Sequence, residues 1–156
     1  MIGIKSLAEF RADFPDDMIE EDGEIVQSGG KAVAEALGEI LTGLGCAVKG
    51  VKNAGDHGWD CSFSFERYGL WFQISDLDPY LLICKPPFGV STEPRYLNLL
   101  IKLNDALRRD GRFHDLLWFT QTEFESGSPG SDIPVIGELP PPIEGKRSLL
   151  DKLFGR

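Results

Sequence analysis

The sequence predicts an α+β fold, an antiparallel sheet of four to five strands with helices packed on one face. Residues 59–66 alternate, with Trp59, Cys61, Phe63 and Phe65 on one face and Asp60, Ser62, Ser64 and Glu66 on the other. Two stretches with helical spacing of apolar residues flank the strand region, near residues 31–44 and 94–110. The resulting order is helix, four-strand meander, helix, strand, which separates the chain from a doubly wound parallel sheet.

Each element has a local reason. Ser28 stands where a helix cap belongs, and Val33, Leu37, Ile40, Leu41 and Leu44 follow as one stripe. Lys31, Glu35 and Glu39 fall on the opposite side, and Gly43 and Gly45 end the helix. Residues 46–52 supply a first strand and 59–66 a second. After a turn around Arg67, Tyr68 and Gly69, Leu70, Phe72 and Ile74 continue the apolar face. A loop of even length keeps the two apolar faces together, whereas three residues would mismatch them. The register chosen sets Trp71 opposite Ser64, Gln73 opposite Ser62 and Ser75 opposite Asp60. Residues 80–85 make the fourth strand. Pro94 opens the second helix, with Tyr96, Leu100, Leu103 and Leu107 as its stripe, flanked by Leu97 and Ile101. Asn98, Lys102, Asp105 and Arg109 form its wet face, Gly111 stops it, and residues 113–120 supply the last strand.

The chain divides into three parts. Residues 1–25 hold eight acids against Lys5 and Arg11, a net of −6 that leaves only −3 of the total −9 for the rest. They read as a solvated acidic segment. Residues 26–125 form one α+β domain. Residues 126–156 begin with SGSPGSDIPVIGELPPP, which holds half of the prolines and predicts extended or disordered chain. RSLLDKLFGR then offers a short amphipathic segment through Leu149, Leu150, Leu153 and Phe154.

Composition excludes several roles. A net charge of −9 opposes a nucleic-acid binder, which needs a positive face. No apolar run reaches the ~20 residues of a membrane span, and MIGIKSLAEFRADF lacks the apolar core of a secretory signal. Cys46, Cys61 and Cys84 are odd in number and lack metal or redox spacing, which predicts free thiols in a reducing cytoplasm.

The reactive residue types do not converge. Asp56, His57, Asp60 and Cys61 are close in sequence, but strand alternation sends Asp60 and Cys61 to opposite faces, and His57 lies in a Gly-Asp-His-Gly turn. Cys61 and Cys84 occupy apolar positions that disfavour a thiolate, and His114 and Asp115 point apart. Ser28-Gly29-Gly30-Lys31 misses a phosphate-binding loop at both ends, with Ile25 in place of the first glycine and Ala32 in place of Ser or Thr. No carboxylate pair has recognisable glycosidase spacing. No metal, cofactor or catalytic residue is therefore expected. A hydrolase using His57 with Asp56 or Asp60 is the enzymatic alternative, and it requires a pocket around His57.

The polar sheet face is more informative. Trp71 among Ser62, Ser64, Gln73 and Asp60 has the composition of a recognition surface. Trp118, which faces away from Leu117 and Phe119, poses the same question on the last strand. The expected contact set is Trp71, Gln73, Asp60 and Glu66, with Asp16, Asp17, Glu20 and Glu21 steering a basic partner.

The stretch GWDCSFSFERYGLWFQISDLDPYLLICKPP, followed by a helix and WFTQTEF, resembles small uncharacterised bacterial proteins of the toxin-immunity kind. The likeness spans roughly residues 30–125 and carries over no functional residue. The acidic character and element order are also similar to type III secretion chaperones, which implies a homodimer holding an extended partner segment. Both resemblances imply a non-catalytic, cytoplasmic protein-binding domain, monomer or homodimer, whose partner is another protein.

Overall fold

The alternating segment and the one after it form an antiparallel pair within the main sheet. In the computed structural model, which describes residues 3–55, 58–84 and 94–136, β6 (Trp59–Phe65) pairs antiparallel with β7 (Tyr68–Ser75). Cys61 lies opposite Phe72 and Phe63 opposite Leu70, so the apolar faces coincide as the even loop requires. The loop is the two-residue Glu66-Arg67, not one of four residues. Trp71 therefore opposes Ser62 rather than Ser64, and Gln73 opposes Asp60 rather than Ser62. Glu66 has a φ of 56°, the positive angle at a first turn position that lets a two-residue loop follow the strand twist.

With β5 (Ala47–Asn53) and β8 (Tyr80–Ile83), these strands form a meander in which chain neighbours are sheet neighbours. The sheet is larger than expected. Strand β2 (Leu7–Ala12), from the acidic segment, lies between β8 and β9 (Phe113–Phe119), giving six strands in the order β5-β6-β7-β8-β2-β9. A boundary at residue 25 therefore cuts through the sheet. Ala8 and Phe10 of β2 are buried against the core while Arg11 is exposed. That alternation, not the charge of the surrounding residues, decides the conformation of the segment.

Helix α1 (Lys31–Gly43) buries Val33, Leu37 and Leu41, and helix α2 (Pro94–Arg109) buries Tyr96, Leu100, Leu103 and Leu107. These residues form one core with Cys61, Phe63, Phe72, Ile74, Leu82, Phe10 and Trp118, so both helices cover the same sheet face. Gly38 helps α1 approach: its Cβ position lies 3.6 Å from Val48 and 3.8 Å from Cys61. Trp118 is not a surface residue. It is fully buried, and its indole Nε1 donates to Asn104 Oδ1 at 2.9 Å inside the core. A positive φ of 54° at Asp115 and a register shift between Glu9 and Arg11 break the alternation of β9, so Phe113, Leu116 and Trp118 all face inward.

The described part of the Pro/Gly-rich segment is ordered. Thr120 and Glu123 make a reciprocal cap on α3 (Gln121–Ser126), whose Phe124 meets the ring of Phe119 on the sheet face away from the two long helices. Ser131 then pairs with Trp118 along the edge of β9 through backbone bonds of 2.8 and 2.9 Å. Strand β10 (Val135–Ile136) pairs with β1 (Gly3–Ile4). Arg108 ties this segment to the core by donating to Leu116 O and Asp132 O at 2.8 and 2.7 Å. The amphipathic segment around Leu149 and Phe154 lies outside the described residues.

Candidate functional site

The most distinctive surface grows from the acidic segment. Ile19–Glu21 (β3) and Glu24–Gln27 (β4) form a hairpin that is a sheet of its own. Its turn is Asp22-Gly23, with φ of 51° and 81°, the pair of positive angles an Asp-Gly two-residue loop supplies. Two strands alone are marginal in water, so the hairpin needs an anchor. Asp17 provides it. One carboxylate oxygen accepts from Gly30 N at 2.8 Å and Lys31 N at 3.3 Å, and the other from Ala32 N at 2.7 Å. These are orphan donors of the first turn of α1, where the helix also favours negative charge. Gln27 closes the loop by donating to Asp17 O at 2.7 Å.

Asp17 is thus a structural cap, and Ser28 is not: the Ser28 hydroxyl donates to Gly55 O at 2.9 Å, while Gly30 occupies the cap position without a side-chain bond of its own. Asp16 remains exposed and accepts from Met18 N at 3.1 Å, and Glu20 and Glu21 project from β3 into solvent. With Asp22 and Glu24 they surround Met18, Ile19, Ile25 and Val26, all exposed, Ile25 by 62%. Met18, Ile25 and Val26 line one wall of an open cleft of about 500 Å³, whose other walls are Ser28, Asn53, Gly55, Gly58 and Asp76.

The cleft is electrostatically negative. Burial raises the pKa of Asp76 above its ordinary value, and Asp16 and Asp17 add to the rise against the lowering effect of the Gly29 N–H. Tyr80 is raised as well, first by burial and then by Asp76, Asp17, Asp16 and Asp78. Beside the cleft, Trp59 donates its indole N–H to Ser28 O at 3.1 Å, and Lys31 stands over the indole ring at 5.9 Å.

The second expected surface is assembled in part. Trp71 is 48% exposed, Asp60 and Gln73 are register partners, and Ser62 lies opposite Trp71, so these four share the outer face of the meander. Glu66 does not join them. It sits in the β6–β7 turn, paired with Arg95 at 3.1 Å. On the same outer face lie Lys49 and Lys52 of β5, which with Ser62, Gly69 and Trp71 border a shallow cleft of about 390 Å³.

Among the described residues, the thiols are placed unfavourably for nucleophilic chemistry. Cys46, Cys61 and Cys84 are free and buried. Burial pushes the Cys46 and Cys61 thiols up to about 11, with Cys61 also raising Cys46, and pushes Cys84 well above its ordinary value. Such thiols carry almost no nucleophilic thiolate at neutral pH. His114 bonds Asp13 at 2.6 Å on the exposed surface. Asp56 and His57, the centre of the hydrolase alternative, lie outside the described residues. Among the described residues no group of three or more His, Cys, Asp or Glu is placed to hold a metal ion, and no helix is long and apolar enough to cross a membrane.

Comparison with protein-family models, with curated proteins and with solved structures finds no match to this chain.

Proposed function

We propose that this chain is a non-catalytic, cytoplasmic protein-binding domain that holds a basic partner, as an inhibitor or immunity protein for a basic toxin or enzyme. The observation that carries this reading is the β3–β4 hairpin, in which exposed Met18, Ile19, Ile25 and Val26 are surrounded by Glu20, Glu21, Asp22 and Glu24 beside an open acidic cleft. An apolar centre that loses water on contact, with a charged rim, is how protein interfaces divide affinity from steering. The chain's net charge of −9 acts in the same direction at long range. Because the hairpin is anchored through Asp17, its contact residues are held before the partner arrives, which limits the ordering cost of association. A reducing cytoplasm suits the three free thiols.

The test compares native partners captured by the unchanged protein and by two folded variants. Charge reversal at Glu20, Glu21 and Glu24 should slow association mainly at low salt, whereas Ile25→Ser with Val26→Ser should speed dissociation. Capture of the same partner with unchanged rates by both variants would remove the hairpin from the interface. Sedimentation that finds a homodimer would favour the chaperone-like reading instead.

A further inference from the structure

We propose that the outer edge of β5 accepts an extended segment of another protein as an added strand, with acidic side chains on the Trp71 side. This surface lies on β5 and its flanking clefts and is independent of the hairpin reading. The six-stranded sheet ends at β5 on one side and at β9 on the other. The β9 edge is covered by the backbone of Ser131, while among the described residues no strand pairs the outer edge of β5. Such an edge offers a row of backbone donors and acceptors.

Two clefts flank it, one on each face. The outer one, about 390 Å³, is bordered by Lys49, Lys52 and half-exposed Trp71; the helical one, about 470 Å³, lies between α1 and β5, with Val48 and Val51 beside Glu35 and Glu39. Gly50 borders both. An added strand sends successive side chains to opposite faces, so its residues would enter the two clefts in turn.

Charge selects the occupant. Lys49 and Lys52 call for carboxylates on the outer side, and Val48 and Val51 call for apolar residues on the helical side. A second copy is the poorer occupant, because antiparallel pairing of β5 with itself centred between Gly50 and Val51 sets Lys49 of each copy opposite Lys52 of the other. Lysines that guard an edge against self-association are the same groups that attract an acidic strand.

The test uses the full chain and a labelled peptide of alternating glutamate and valine, with a lysine–valine peptide as control. The glutamate peptide should shift the amide signals of residues 47–53 and the indole signal of Trp71. N-methylation of its β5-facing amides should weaken binding at least about tenfold, and Lys49→Glu with Lys52→Glu should reverse the preference between the two peptides. Equal binding of the N-methylated peptide, no shift in β5, or shifts confined to residues 19–27 would overturn the proposal. Protection of the outer β5 amides in the peptide-free protein would also overturn it; dependence on protein concentration would then identify a second copy, and independence an occupant from the same chain.

Discussion

Removing the Asp17 carboxylate tests how the hairpin and the first helix are joined. In Asp17→Ala, the N–H groups of Gly30, Lys31 and Ala32 lose their acceptor, and the hairpin loses its tie to α1. Loss of a helix cap costs about 1 kcal/mol, and a carboxylate at a partly buried helix N-terminus contributes up to about 1 more, so the total should be about 2 kcal/mol. For a domain of this size that lowers the Tm by about 4–8 °C. Asp17→Asn keeps an acceptor without the charge and should lose about half as much. Urea and thermal denaturation measure both, with Asp16→Ala as the neighbouring control at no more than about 0.5 kcal/mol. Amide exchange should show residues 19–27 opening in Asp17→Ala while the six-stranded sheet stays protected. Asp17→Ala no more destabilising than Asp16→Ala, or unchanged hairpin exchange, would show that Asp17 does not join the hairpin to α1.

The remaining predictions concern other parts of the fold. Asp76 has a raised folded-state pKa, so the folded state binds its proton more tightly than the unfolded state; the resulting penalty is present above the folded pKa and disappears as pH falls through it toward the ordinary 3.8. Asp76→Asn should therefore raise the Tm at pH 7, by less than about 0.5 kcal/mol in stability because solvent screens the site, and the gain over the unchanged protein should vanish on acidification. Asn104→Leu leaves the buried Trp118 N–H without its acceptor and should cost about 2 kcal/mol in urea denaturation, whereas Trp71→Ala should stay within about 0.5 kcal/mol. Gly58 combines a φ of 107° with a Cβ position 2.1 Å from Ile74 O, so Gly58→Ala should lose more than about 2 kcal/mol on thermal unfolding; Gly69→Ala, with open space around it, should be near neutral.

Much of this architecture could be read from spacing. The meander, both long helices and the inward set of β6 and β7 follow from periods of 2 and 3.6, because burial acts on every residue of a face at once. Net charge is a poor guide to the conformation of residues 1–25. Ala8 and Phe10 alternate with Glu9 and Arg11, and Asp22-Gly23 between Ile19 and Ile25 is a hairpin signature, so the local signals for β2 and β3–β4 were present. Residues 126–136 carry a weaker signal: their proline content opposes a long helix or central strand, but it says nothing about one edge bridge at Ser131 or a two-residue strand. Of the expected contact set, Trp71, Asp60 and Gln73 share a face, Glu66 is diverted into a turn, and Asp17 turns inward to α1.

By itself the sequence determined the two long helices, the strands of the meander and β9, and which face of the meander is apolar, since those depend on neighbours within a few residues. Only the tertiary structure decided that β2 enters between β8 and β9, that Trp118 points into the core, and that Asp17 caps a helix beginning at Lys31. Each of these joins residues distant along the chain, where the outcome depends on which buried polar groups and open edges another segment can satisfy.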